Sequence, residues 1–406
     1  MKTYLKLAWR NLWRNKRRTI ITTSSIFFAV FLATVMRSMQ IGSYGKMIND
    51  VVEFYTGYIQ IHKNGYWDNK SINNTFDYND SIISKVKSLK NIKLYVPRLE
   101  SFALASVGEI TKGVMLIGTD PEMENKFTKL SKRVVKGNYL SENDNSVLVA
   151  EDLADYLKLK VNDTIVFLSQ GYHGITAADK YPVRGIIHFP TPDLNASTVY
   201  MTLKNCQYFY SADNRLTSIA IIVNNTKEIK KTTKRLANLL GDKYEVMPWN
   251  KMLVQLVQGI QSDNAGGLIW IGILYVIITF GIFSTIIMGI VERKKEFAVM
   301  IAVGTQKAKL VIITIYEIFF MCMMGVISGL AFSLPIIYYY FNNPIRLTGD
   351  AAQAMAKWGV EPIFAFSLDP SIFTNQGFIV ILLTFIASIY PLMMIRKFNV
   401  IKALHN

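Results

Sequence analysis

Four apolar runs, each long enough to cross a lipid bilayer, limit what this chain can fold into more than any other feature. They cover about 19–41, 266–291, 310–341 and 375–395, the second reading GLIWIGILYVIITFGIFSTIIMGIV. A helix rises 1.5 Å per residue, so roughly twenty apolar residues span a hydrocarbon core of about 30 Å. An apolar share of 51% would suit an ordinary globular protein if spread evenly, but here it is gathered into these runs. The first run has a long basic lead and no A-x-A cleavage pattern before Arg37, so it reads as a retained span rather than a signal peptide.

The net charge of +16 raises the question of nucleic acid, and its distribution answers it. Residues 1–18 carry seven Lys/Arg and no acid, 292–309 carry five against two Glu, and the tail after Ile395 adds three. Residues 42–265 are nearly balanced, with 27 basic against 23 acidic side chains. The excess therefore flanks membrane spans on one side. By the positive-inside rule the N-terminus (1–18), the 292–309 segment and the tail (396–406) are expected to be cytoplasmic, with 42–265 and the loop 342–374 outside. A nucleic-acid partner is not expected. Cys206 then falls outside and Cys322 within the third span, so the two are not expected to meet.

In the first eighteen residues Leu5, Ala8, Trp9, Leu12 and Trp13 recur at helical spacing among basic residues. That pattern predicts an amphipathic helix lying at the membrane interface. Past the first span Met39, Met47, Ile48, Val51, Val52 and Tyr55 continue an apolar stripe, and Leu253, Leu256, Val257 and Ile260 build another before the second span. These predict paired stalk helices leading into an inserted domain. Within it, SIISKVKSLK and TKEIKKTTKRLANLL read as helices, and VMLIG, SVLVA, TIVFL, YPVRGIIHF, STVYMTL and TSIAIIV as strands. The polar stretch near 120–145 suggests two subdomains. The fold class is thus an α-helical membrane protein of four transmembrane helices with a large α/β extracytoplasmic domain between helices 1 and 2.

Residues 292–309, ERKKEFAVMIAVGTQKAK, place seven consecutive apolar residues, Phe297 to Val303, between charged ends. A solvated linker has no use for such a run, so burial partners are expected. Glu317, seven residues into the third span, costs a few kcal/mol in lipid unless paired or hydrated. A polar contact with a neighbouring helix or an ion pathway would each account for it. No phosphate-binding G-x-x-x-x-G-K-[ST] loop, no G-x-S-x-G elbow and no paired histidines at metal spacing occur in the 406 residues. Neither an enzyme nor a metal site is expected.

Several stretches together resemble the membrane subunits of mechanotransmission ABC transporters, the family of MacB, FtsX and the lipoprotein-releasing Lol permeases. LAWRNLWRNKRRT is similar to that family's N-terminal elbow helix. ERKKEFAVMIAVGTQKAKLVIITIYE resembles the segment R-x-x-E-I-A-x-L-R-A-I-G-A-S, matching at Arg293, Glu296, Ala298, Ala302 and Gly304. SVLVAEDLADYLKLKVNDTIVF is similar to an outer-domain signature ending L-x-V-G-D, and YPLMMIRKFNVIKAL to the family's terminal motif. Ile301 stands where a basic residue is usual, Asn162 where Gly is, and Val400 near a common Pro.

The resemblance, nearest to the Lol permeases, implies a non-enzymatic subunit with no cofactor of its own. ATP and Mg would sit on a cytoplasmic ABC ATPase dimer. It implies a second permease subunit, as a homo- or heterodimer, surrounding membrane lipids, a lipidated lipoprotein as cargo and a periplasmic carrier beyond. The setting implied is a bacterial inner membrane with a periplasmic domain. MacB-like efflux of amphiphiles or peptides, and FtsX-like activation of cell-wall hydrolases, are the alternatives. Glu292, Arg293, Glu296, Phe297, Met300 and Gly304 are the expected ATPase-coupling residues, with Phe297, Met300 and Gly304 on one helical face. Phe31, Val35, Met39, Leu268 and Ile271 are the expected cavity residues, and Tyr172, His173 and Gly174 the loop that would meet a carrier.

Overall fold

Residues 2–350, 352, 355 and 362–397 are described by a computed structural model, and the chain divides into two units. One is helical and is built from 1–45, 259–346 and 363–406; the other comprises 46–258 and 347–362. The end of the tail motif, including Val400, lies outside the described residues, as does most of 351–361.

The helical unit contains α1 (Lys2–Arg14), α2 (Lys16–Val51), α3 (Val254–Glu292), α4 (Lys294–Ala302), α5 (Lys307–Asn342) and α6 (Pro370–Arg396). Helices α2, α3, α5 and α6 are long and apolar enough to cross a membrane. Lipid tails are as apolar as leucine, so such helices associate through close packing and polar contacts instead of water exclusion. Both devices are visible. Gly325 and Gly329 form a G-x-x-x-G step on α5 that meets α2: a Cβ on Gly325 would lie 2.6 Å from Ile26 Cγ2, and one on Gly329 would lie 2.9 Å from Val30 Cβ. Helix α1 buries Ala8 and Leu12 completely and sets Trp9 edge-on to Phe320 of α5, while half of Trp13 remains exposed. The apolar stripe predicted for residues 1–18 is therefore divided between packing and exposed surface.

The inserted domain is built on one ten-stranded sheet. Its strands are β1 (Ile59–Lys63), β2 (Ile92–Val107), β3 (Ile110–Thr119), β4 (Val134–Gly137), β5 (Val147–Ala150), β6 (Thr164–Gln170), β7 (Thr176–Ile187), β8 (Thr198–Thr202), β9 (Ser218–Val223) and β10 (Tyr244–Pro248). The order is β10-β1-β9-β2-β3-β8-β5-β7-β4, with β6 bridging β2 and β7. The polar stretch near 120–145 does not interrupt this sheet. It holds a short helix, Pro121–Thr128, capped by Asp120, whose carboxylate accepts from the Met123 amide at 2.8 Å. Two hydrophobic cores share the sheet, and the long strand β2 belongs to both, giving Val96 to one and Leu99 and Ala103 to the other.

Between them lies Arg98, with 0% exposure. A buried cation needs a full set of acceptors. It has them: its guanidinium donates to both Glu124 oxygens at 2.9 and 2.7 Å and to the Tyr55 carbonyl at 2.6 Å. Asn162 adopts the left-handed conformation, at φ +74°, and donates its backbone amide to the Val183 carbonyl at 2.8 Å. Cys206 and Cys322 are free and buried, and burial pushes the Cys206 thiol well above its ordinary range. Ile48, Val52, Trp249 and Leu253 all pack on the smaller core, which is where the predicted stalk stripes end.

Candidate functional site

The segment between α3 and α5 is set by its two ends. At its start the helix breaks at Arg293, whose side chain turns inward and is only 5% exposed. At its end, Gly304 takes φ +99°, with its amide donating to the Ile301 carbonyl and the Thr305 amide to the Met300 carbonyl, both at 2.9 Å. That pair of bonds is a Schellman stop, in which a residue with positive φ satisfies the last carbonyls of the helix. Gly304 therefore terminates α4 and does not lie on its face with Phe297 and Met300, a correction to the sequence expectation. The i, i+7 spacing counts it into a helix that ends at Ala302.

Phe297 is 3% exposed and belongs to the core of the helical unit, so it packs and is not free to dock. Met300 is half-buried beside it. The side of α4 left open holds Val299 and Val303, 54% and 83% exposed. Sequence reasoning counted both within the apolar run without separating them. The signal was present, since they are four apart and fall on the side of the helical wheel opposite Phe297. Beside α4 a groove of about 570 Å³ is lined by Leu7, Asn11 and Arg14 of α1 and by Lys295, Val299 and Met300.

Glu317 is the anchor of this region. It is 2% exposed. One oxygen accepts from Asn11 Nδ2 at 2.7 Å and the other from Arg293 Nη1 at 2.6 Å, with Arg18 Nη2 3.8 Å away. Arg293 also reaches Glu296 at 3.3 Å and lies over the Phe297 ring, 5.0 Å from its centroid, while Glu296 binds Arg14. Arg18 in turn donates to the Gly289 carbonyl at 3.1 Å, in space that exists because residue 289 has no side chain. Five helices, α1 to α5, thus meet at one ion-pair cluster. The acid that looked isolated in the sequence is a polar helix contact. Glu292 lies at the exposed end of α3, outside the cluster.

A second polar cluster at the far end of α2 and α3 was not expected. Arg37 donates to Gln40 Oε1 at 2.6 Å and to Asn264 Oδ1 at 2.7 Å, Gln40 donates to the Tyr44 hydroxyl at 2.9 Å, and Tyr44 donates to Asp263 at 2.5 Å. The i, i+3, i+7 spacing of Arg37, Gln40 and Tyr44 was its legible sign. Of the expected cavity residues, Phe31, Val35 and Met39 are half-buried, Leu268 is 51% exposed and Ile271 is 3% exposed. Ile271 is already covered by the chain itself. The open side of α3 instead presents Trp270, Ile277 and Phe280, each at least 65% exposed.

The carrier-loop residues Tyr172, His173 and Gly174 form one tight turn. It is tied down: the His173 amide donates to Asn73 at 2.8 Å, and Arg215 lies over the Tyr172 ring at 4.4 Å.

Residues 268–400 match the family model of the FtsX-like permease C-terminal domain. The chain is 25% identical over 188 residues to an uncharacterised ABC transporter permease of Methanocaldococcus jannaschii, covering 43% of this chain and 50% of that one. It is 22% identical over 336 residues to the macrolide export ATP-binding/permease protein MacB of Aggregatibacter actinomycetemcomitans, covering 79% of this chain and 50% of that one. The chain thus spans about half the length of the curated relatives it matches. Among solved structures, the extracellular domain of the noncanonic ABC-type transporter YknZ from Gram-positive bacteria aligns at TM-score 0.34 and 16% identity, over 47% of this chain and 98% of that one. The periplasmic region of MacB from Actinobacillus actinomycetemcomitans aligns at TM-score 0.36 and 16% identity, over 52% and 98%. The protein is a multi-pass membrane protein whose residues 268–400 are similar to the FtsX-like permease C-terminal domain, and it is similar to MacB and to an ABC transporter permease.

Proposed function

We propose that this chain is the membrane subunit of an ATP-driven transporter that lifts lipidated lipoproteins out of the outer leaflet of a bacterial inner membrane. In this reading α4 is the element on which a separate cytoplasmic ATPase dimer pushes, and the inserted domain lies on the periplasmic side. The observation that carries it is the ion-pair cluster on Glu317. It makes a short surface helix an inseparable part of the spans, which is what a force-bearing contact requires. Val299 and Val303, beside the groove against α1, supply the apolar surface for the ATPase. Two copies, or this chain and a second permease, would enclose acyl chains against the open side of α3, where Trp270, Ile277 and Phe280 offer apolar area worth roughly 25 cal/mol per Å² buried.

The test is co-purification with a hydrolysis-deficient ATPase in lipid, comparing lipidated cargo with the same lipoprotein lacking its acyl chains. Retention of the lipidated form alone supports extraction, and equal retention of both refutes it. Val303→Asp should uncouple ATP hydrolysis from release while leaving thermal stability unchanged, because the side chain is 83% exposed. A second reading, efflux of an amphiphile or peptide, is supported by the similarity to MacB over 79% of this chain. It predicts a purified complex that retains no lipoprotein.

A further inference from the structure

In the inserted domain, where β1 and β2 approach, lies a cavity of about 90 Å³. Four aromatic side chains, Tyr55, Tyr66, Trp67 and Phe102, line it together with polar Gln60, Glu100 and Ser101. Two buried polar side chains line it without a hydrogen-bond partner for the atom concerned among the described residues, His62 at Nε2 and Thr56 at Oγ1. His62 is 1% exposed and Thr56 7%. A buried polar group left unpaired is costly, so two at one cavity point to something that satisfies them.

The chemistry of that partner can be narrowed. His62 Nδ1 lies 2.8 Å from the Thr217 carbonyl. A carbonyl only accepts, so the ring proton is on Nδ1 and Nε2 carries the lone pair. Burial, which pulls the His62 pKa down to about 4, keeps the ring neutral in that tautomer. The cavity therefore offers a fixed acceptor at His62 and a rotatable hydroxyl at Thr56. A ligand hydroxyl can donate to the first and accept from the second. A cation is disfavoured, because Lys70 already covers the Trp67 face, its Nζ 3.8 Å from the ring centroid, and Arg98 lies 3.7 Å from the Glu100 carboxylate. An anion would face that carboxylate. The ring of His62 lies nearly parallel to Tyr66, at 13° and 4.9 Å, so the site is built of flat walls.

Its margin continues into an apolar strip. Phe102 and Leu104 of β2 lie on one exposed face, with Leu168 of β6 directly opposite Leu104. The three are 59%, 48% and 48% exposed.

We propose that this cavity binds a neutral amphiphile whose flat ring bears a hydroxyl, the phenol class, with its apolar remainder lying along Phe102, Leu104 and Leu168. The site stands independently of the transport reading and of which cargo the spans carry. The experiment titrates 4-propylphenol and propylbenzene into the full-length protein in amphipol, read by saturation-transfer NMR. The phenol should bind at least about tenfold tighter, since the hydrocarbon leaves both polar atoms unpaired. His62→Phe keeps the stacked ring and removes the acceptor; Thr56→Val keeps the volume and removes the hydroxyl. Each should reduce the preference to within about threefold. If His62→Phe does not fold, Thr56→Val decides. Equal binding of the two probes, no saturable binding because the cavity holds water only, or a preference unchanged in Thr56→Val would overturn the assignment.

Discussion

Replacing Glu317 by Leu tests the cluster on which the coupling reading rests. The carboxylate is 2% exposed and holds Arg293 at 2.6 Å and Asn11 at 2.7 Å. Its loss leaves Arg293, itself 5% exposed, with Glu296 at 3.3 Å as its one acidic partner among the described residues, a side chain 45% exposed. Removing one member of a buried pair costs about 3–5 kcal/mol, because the survivor stays in a low dielectric without its counter-charge. In a helical unit of roughly 180 residues, each kcal/mol moves the midpoint about 2–4 °C, so a fall of about 6–20 °C is expected. The assay is the fraction of full-length protein that remains monodisperse in detergent after heating. Arg293→Met combined with Glu317→Leu should recover most of the loss, since exchanging both members of a buried pair for apolar groups is often neutral. Arg18 keeps a partner in the double variant through its bond to the Gly289 carbonyl. A single variant within about 2 °C of wild type, or a double variant no better than the worse single, would refute the pairing.

Three further outcomes are expected. Gly325→Ala should cost about 1–3 kcal/mol by overpacking against Ile26, read as a lower midpoint in the same heating assay. Asn162→Gly should be neutral or slightly stabilising, whereas Asn162→Ala should cost about 1 kcal/mol, because φ is +74° there; denaturant unfolding of the inserted domain reports both. His62 has a folded pKa lowered to about 4 against an ordinary 6.5, so the unfolded state binds the extra proton first. Its contribution is whole above pH 6.5 and lost as pH falls from there towards 4, by about 3 kcal/mol. His62→Phe should flatten that part of the stability profile, and an unchanged slope between pH 6.5 and 4 would count against the buried neutral ring.

Features set by long local runs were readable in the sequence. Each predicted span coincides with one helix because an apolar run of twenty residues has few alternatives. The strands TIVFL and TSIAIIV stood out through dense β-branched and aromatic composition. Strand β2 was missed although it is the longest, because Pro97, Arg98 and Glu100 interrupt its apolar pattern. Arg98 is buried through a partner on another element, Glu124, and Glu100 sits beside it with the Tyr55 hydroxyl; no local window contains these partners. Glu317 failed to be placed for the same reason, since its ligands come from residues 11, 18 and 293. Gly304 was misassigned because helical spacing cannot show where a helix stops, and only its positive φ does. The cavity at His62 is not legible in the sequence, because its lining comes from stretches as far apart as Tyr55 and Met115.

How a push on α4 would travel follows from what it would have to break. For α4 to move alone, the bond from Arg293 to Glu317 must open, and Phe297 must leave the core of the helical unit. The first costs about 3–5 kcal/mol and the second about as much as truncating a buried phenylalanine, again about 3–5 kcal/mol. Their sum is comparable to the whole stability of an ordinary domain. Displacing α4 together with α1 and α5 breaks neither, because Asn11, Arg293 and Glu317 move as one set. The cheaper path is therefore a rigid displacement of this cluster, which draws the end of α3 with it through Arg18 and the Gly289 carbonyl. A flexible linker at 292–309 would absorb such a push. The same residues, folded as a capped helix pinned by a buried ion pair, would hand it on to the spans.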